Sequence, residues 1–289
     1  MAVMQAEHAL TIGAELGEGP AWIDGALWFV DIKRLRIYRH RAETGATDGW
    51  DAPEMVGWVL PSHAGDLIVG LQSGPHRFDP ATSRFTRIAE IDAHLPANRL
   101  NDAAIDAEGR IFFGTMDNDE AQASGSVYVL DRGAVRRSSI PATVITNGPA
   151  ITPAGDRLYH VDTLARTVTA HTIAADGSVG VGEPFMHFTG DEGHPDGAIC
   201  DAEGGVWLGF YGGWAARRFA PDGSMTDEVR LPVSNVTKVV LGGADGRTAY
   251  ATTARQGLDA GALADQPLAG DVFTFRVAVP AAPPRRANS

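Results

Sequence analysis

The sequence predicts an all-β protein, a six-bladed β-propeller with four-stranded antiparallel blades around a central channel. Three observations predict it: the absence of helical periodicity, the glycine and proline punctuation of short β-type runs, and a repeat with six copies. No long stretch sustains apolar residues at i, i+3, i+4 and i+7. The 34 glycines and 17 prolines among 289 residues separate the runs. Six runs align: GALWFVDI from Gly25, GDLIVGLQ from Gly65, GRIFFGTM from Gly109, DRLYHVDT from Asp156, GGVWLGFY from Gly204 and GRTAYATT from Gly246. Their starts lie about 40 to 48 residues apart, the period of a propeller blade. A β-sandwich does not predict six units of similar length.

Each unit then justifies itself in order. The aligned run is preceded by another apolar strand and a turn of the D-x-x-G or x-D-G type, clearest in IDAEGRIFF, ITPAGDRLY and CDAEGGVWL. A further strand follows it: RIYRHRAETG in unit one, GPHRFDPATSRF in two, SVYVLDRG in three, TVTAHTIAADG in four, ARRFAPDG in five and DVFTFRV in six. The boundaries are loosest in unit two. The last blade ends near Val277, so residues 1–277 are expected to form one propeller. Residues near His8 to Ala14 are expected to close the ring by pairing with the final blade. The tail PAAPPRRANS, within 278–289, is expected to be disordered from its composition.

The bulk numbers exclude several functions. A net charge of −12 argues against nucleic acid or an anionic membrane as a partner. A single cysteine, Cys200, excludes an internal disulfide framework and a cysteine-based zinc site. The opening residues lack a basic segment followed by an apolar run, and no run approaches the roughly 18 apolar residues of a membrane helix. A cytoplasmic protein is expected, with a monomer as the default.

Polar clusters recur at equivalent places in the units: Glu18 in LGEGPAW, Arg99, Asn101 and Asp102 in NRLND, Asn147 in TNGPAI, Asp196 in HPDGAIC, and Asn235. The innermost strand of each blade lines the channel, so these residues are expected to meet at one mouth of it. Taken singly, Asn147-Gly148 and Asp196-Gly197 are ordinary turn chemistry. Taken together they supply only oxygen donors, which suits Ca²⁺, Mg²⁺ or Mn²⁺. So few protein ligands leave positions for water or substrate, as a catalytic ion requires. His160, His171, His187 and His194 show no paired metal spacing and read as structural, with His194 a weak candidate beside Pro195-Asp196. Trp207, Phe210, Tyr211 and Trp214 read as blade packing, although Tyr211 or Trp214 would suit a pocket wall. Asn235-Val236-Thr237 reads as an accidental glycosylation sequon.

The motifs LGEGPAW, LWFVDI, NRLNDAAIDAEGRIFFGTM, TNGPAIT, HPDGAICDAEGGVWLGFYGG and TARQGLDAGALADQPLAGDVF together resemble the regucalcin/gluconolactonase family of six-bladed propeller lactonases, most closely its bacterial sugar-acid branch. The resemblance covers almost the whole chain. It implies hydrolysis of a sugar-acid lactone such as xylono-, glucono- or arabinonolactone, assisted by one divalent ion. Ca²⁺ is favoured by ligand type, Mn²⁺ and Mg²⁺ suit the same oxygen donors, and the resemblance extends to relatives that use Zn²⁺ or Fe²⁺. It implies that Glu18, Asn147 and Asp196 bind the metal, that Asp196 is also the general base, and that Arg99 and Asn101 contact the substrate. Asp119 aligns with a position where animal members carry a sugar-contacting glutamate. Three rival readings are a calcium-binding regulatory protein without catalysis, a scaffold for protein partners, and a hydrolase of another ester on the same metal site.

Overall fold

The computed structural model describes residues 3–288. Six sheets form a ring, and each blade runs from an inner strand at the channel to an outer strand at the rim. The inner strands are Gly17–Ile23, Val56–Pro61, Asn98–Ile105, Thr146–Ile151, His194–Cys200 and Val236–Gly242, for blades one to six. The runs that align best in the sequence are the second strands: Ala26–Asp31, Leu67–Leu71, Ile111–Asp117, Arg157–Asp162, Val206–Tyr211 and Thr248–Thr253. They read as continuous apolar runs because both faces of each are packed between neighbouring blades. Trp58, Phe29, Phe113, Trp207 and Phe273 fill those spaces and are essentially inaccessible to solvent. Burying each such ring contributes roughly 2–3 kcal/mol.

Ring closure follows the expected scheme and adds to it. Glu7–Leu10 pairs antiparallel with Val272–Arg276, with His8 opposite Phe273, and completes blade six. Val3–Gln5 then adds a parallel fifth strand to blade five, opposite Glu228 to Arg230. The one α-helix among the described residues, Ala260–Asp265, sits between the second and third strands of blade six. The Asp259 side chain caps it by accepting from the Ala262 N–H at 2.8 Å.

The tail departs from expectation. Ala281 bridges to Asp201, and Ala287 bridges to Ser62 and is fully buried. Arg285 donates to the carbonyls of Ile105, Thr152 and Pro153 at 2.8–3.0 Å. Arg286 reaches the Ser62 carbonyl and the Asp24 carboxylate. Composition marks this segment as disordered because it is short and poor in apolar residues. Its order comes from backbone carbonyls at the far ends of the inner strands and adjoining turns, to which its arginines donate.

Every inner strand breaks register with its neighbour near its start: Glu18/Ala21, Val56/Trp58, Leu100/Ala103, Asn147/Ala150, Pro195/Ala198 and Val236/Lys238. A bulge re-aims side chains and increases local twist. The polar clusters are therefore carried by the inner strands themselves, not by loops ahead of them.

Candidate active site

Glu18, Arg99, Asn101, Asn147 and Asp196 line one cavity of about 280 Å³ at the mouth where the inner strands begin. Leu16, Met116, Ile145 and Leu164 give it apolar walls, and Glu120, His194, Tyr211 and Gln256 add polar groups. All five bulge-region residues are buried, Asn147 and Arg99 to 3% exposure. A second, larger cavity of about 570 Å³ lies at the other end of the channel, beneath the tail. Its lining is mostly Ala, Ile and Pro from the distal halves of the inner strands, and Cys200 stands there with its thiol pushed up to about 12 by burial. The buried carboxylates, amides and Arg99 gather at the smaller cavity.

A directed chain of hydrogen bonds fixes the site. Arg99 Nη1 donates to Asn101 Oδ1 at 2.6 Å. Asn101 Nδ2 donates to the Thr146 carbonyl at 2.7 Å and to Asn147 Oδ1 at 3.0 Å. Asn147 Nδ2 donates to Thr163 Oγ1 at 2.9 Å. Both ends of the Asn101 amide are engaged, so Asn101 positions its neighbours. Asn147 Oδ1 keeps a second lone pair. Glu18 Oε2 accepts from the Gly19 N–H at 2.8 Å. Arg99 Nε and Gln256 Oε1 are buried with no hydrogen-bond partner.

The electrostatics are those of a crowded anionic pocket. Burial, then the Asp102 charge, raises Glu18 to about 7. Burial, then Glu18 and Asp102, holds the Asp196 carboxyl well above the ordinary aspartate range. Burial lowers Arg99 to about 10, so the guanidinium stays charged at neutral pH. Burial, then Asp196, lifts the Tyr211 phenol, whose hydroxyl donates to the Gln256 carbonyl. Repulsion between buried carboxylates is relieved by a bound cation. Among the described residues no three His, Cys, Asp or Glu side chains group as a ligand set. The donors here are two carboxylates completed by an amide oxygen, and this all-oxygen set fits a hard divalent ion.

The sequence reading grouped the main side chains and misplaced others. Asp119 does not line the cavity; its neighbour Glu120 does. Asp117, at the end of its strand, accepts from the N–H groups of Asp119, Ala121 and Gln122, and the turn so formed brings Glu120 to the cavity. Asn235 is buried but does not line the cavity, and its Nδ2 donates to the Gln256 carbonyl at 3.0 Å. Trp214 is exposed and also lies outside the lining, whereas Tyr211 walls it. His194 accepts from Arg166 Nη2 at Nε2 (2.9 Å) and donates from Nδ1 to the Thr163 carbonyl (3.2 Å). Both ring nitrogens of His194 are thus engaged by protein groups. Gln256 lies within the motif that opens TARQG but was not singled out as a site residue, because it arrives from a loop outside the repeat.

The chain is similar to known proteins over most of its length. Residues 16–255 match the family model for the SMP-30/Gluconolactonase/LRE-like region. The chain is 37% identical to the L-arabinolactonase of Azospirillum brasilense over 89% of this chain and 87% of the relative. It is 33% identical to the 6-deoxy-6-sulfogluconolactonase of Pseudomonas putida, over 92% of each. The calcium-binding protein regucalcin of Agrobacterium tumefaciens superposes with a TM-score of 0.94 at 26% identity, over 99% of each chain.

Proposed function

Because the chain belongs to the SMP-30/Gluconolactonase/LRE-like family, we propose that it hydrolyses a neutral sugar-acid lactone to the open-chain aldonic acid with the help of one divalent ion. The observation that supports this most is the convergence of Glu18, Asn147 and Asp196 with Arg99 and Asn101 in one buried cavity. Relatives named arabinolactonase and sulfogluconolactonase support the ester class.

Glu18, Asn147 Oδ1 and Asp196 are the residues that would hold the ion. Once bound, the ion supplies Lewis acidity toward a lactone carbonyl and lowers the pKa of water. Asp196 accepts the proton of the attacking water. Arg99, whose Nε has no protein partner, donates to a ring or hydroxyl oxygen and attracts the carboxylate that forms. Gln256 Oε1 and Glu120 accept from sugar hydroxyls, a role expected at Asp119 from the sequence. The apolar walls orient the ring and exclude water. A cavity of about 280 Å³ sits just below the usual range for drug-sized ligands, which suits a single sugar ring. No covalent nucleophile is required: Cys200 stands at the other end of the channel.

The test strips the protein with a chelator, restores single divalent ions, and follows acid release from a panel of aldonolactones against the spontaneous rate. Metal-dependent acceleration is the expected result. The likeness to a calcium-binding regucalcin favours a second reading, ion binding without turnover. Protein that binds Ca²⁺ yet accelerates no lactone with any ion would establish that reading instead.

A further inference from the structure

The floor of the site is closed by an ion pair that neither the ion ligands nor the substrate contacts account for. Lys238 stands on the inner strand of blade six, at its bulge, and is 3% exposed. Its Nζ donates to Asp102 Oδ1 on blade three, on the opposite side of the ring. On the way its stem passes Gly197. A Cβ at Gly197 would lie 2.6–2.7 Å from Lys238 Cβ, Cγ and Cδ, so only glycine admits this path. One side chain thus touches the neighbours of two site residues, since Gly197 follows Asp196 and Asp102 follows Asn101. Lys238 also lines the far cavity, which makes the pair the partition between the two ends of the channel.

Asp102 is held in an unusual way. Its Oδ1 accepts from Lys238 and from the Ala103 N–H at 2.8 Å. Its Oδ2 is buried with no partner in ordinary hydrogen-bond geometry, although the Gly148 N–H also acts on this carboxylate. A buried carboxylate oxygen without a partner is costly unless a cation faces it. The charge of Asp102 acts on both Glu18 and Asp196, and on Glu18 it outweighs the opposing effect of Lys238.

We propose that Lys238 is a positioning residue for the ion site: it fixes Asp102 across the ring beside Asn101, braces Asp196 through Gly197, and so sets the affinity for the divalent ion. This rests on the metal-dependent reading above. The pair acts at one remove from the ligands, where outer partners typically contribute 10- to 100-fold in metal affinity.

The test is isothermal titration of chelator-stripped protein with Ca²⁺ and with Mn²⁺, with thermal melting in parallel. The parent is compared with Lys238→Met and with the double variant Lys238→Met/Asp102→Asn. The single variant leaves a buried carboxylate without its cation and is expected to melt lower. The double variant removes both charges and is expected to melt closer to the parent. Both are expected to bind either ion 10- to 100-fold more weakly than the parent. If the single variant does not fold, the double variant alone decides. Binding within about twofold of the parent, or tighter, overturns the proposal, since the pair would then be packing only. A parent that binds neither ion overturns the metal-dependent reading itself, and this outcome is distinct because it appears before any substitution is made.

Discussion

At the scale of single residues, the site works against the stability of the metal-free protein. Asp196 and Glu18 are buried carboxylates: burial and then Asp102 raise Glu18, and burial, Glu18 and Asp102 raise Asp196. Asp196→Asn keeps the shape and one oxygen ligand but removes a charge and the proton acceptor. Turnover is expected to fall by about 10²- to 10⁴-fold, the usual worth of a general base, while the metal-free melting temperature holds or rises. Kinetics and melting curves on the same sample check both; a variant that keeps near-parent turnover would remove Asp196 from the base role. The pH dependence has a definite sign. Glu18 binds its proton more tightly in the folded metal-free protein, at about 7, than at the ordinary 4.5. The folded state is therefore penalised as pH rises from 4.5 to 7, by roughly 3 kcal/mol once above 7. A bound cation favours the ionised form and cancels this penalty. The melting-temperature gain from a saturating divalent ion is thus expected to grow from pH 5 to pH 8. His160, lowered to about 4 by burial and then by His171, acts in the opposite direction, costing stability as pH falls from 6.5. It does not line the ion site, so it enters both forms equally and drops out of the difference. A gain that stays flat with pH would mean that ion binding displaces no proton from Glu18.

At the scale of elements, the inner strands are the functional unit, and close packing sets their composition. A Cβ at Gly57 would lie 2.6 Å from the Asn101 carbonyl oxygen and 2.8 Å from that of Leu100. Gly57 has no left-handed backbone to explain its glycine, so the close approach alone requires it. Gly57→Ala is expected to cost about 1–3 kcal/mol by overpacking, a drop of several °C in melting temperature. It is also expected to raise KM, because the strand it pushes carries Arg99 and Asn101. Unchanged melting and KM would show that blade three yields without cost. The same packing explains what was legible in the sequence. The second strands are buried on both faces, so their apolar runs stood out and set the blade count. Glu18, Asn147 and Asp196 were legible because small residues flank them where the strands bulge. Glu120 was missed for Asp119, since a turn pinned by Asp117 decides which of two adjacent acids faces inward. Lys238 was missed because a lysine in VTKVVLGG reads as an exposed strand residue, and only the ring brings Asp102 opposite it.

At the scale of the whole molecule, the two ends of the channel have separate tasks. One mouth carries the site; the other is crossed by a strap that composition alone marks as disordered. The strap runs from Ala281, held by the Gly246 carbonyl in blade six, to Asn288, which donates to the Gly109 carbonyl in blade three. It therefore ties non-adjacent blades, something the pairing of Glu7–Leu10 with blade six does not do. A propeller is a ring of similar units, and a link across the ring opposes separation of blades that sheet pairing at one seam leaves free to part. Arg285 is the strongest single tie, with three carbonyls from blades three and four. Its half-buried guanidinium is expected to contribute about 2 kcal/mol net, so Arg285→Ala is expected to lower melting by about 4 °C. A chain ending at Val277 loses every tie and is expected to fall further. In both cases kcat and KM measured well below the melting transition are expected to match the parent, because the strap touches no residue of the site cavity. Melting temperatures that match the parent would show that the strap rests on the ring without holding it. A selective loss of turnover with melting intact would show instead that the strap communicates with the site.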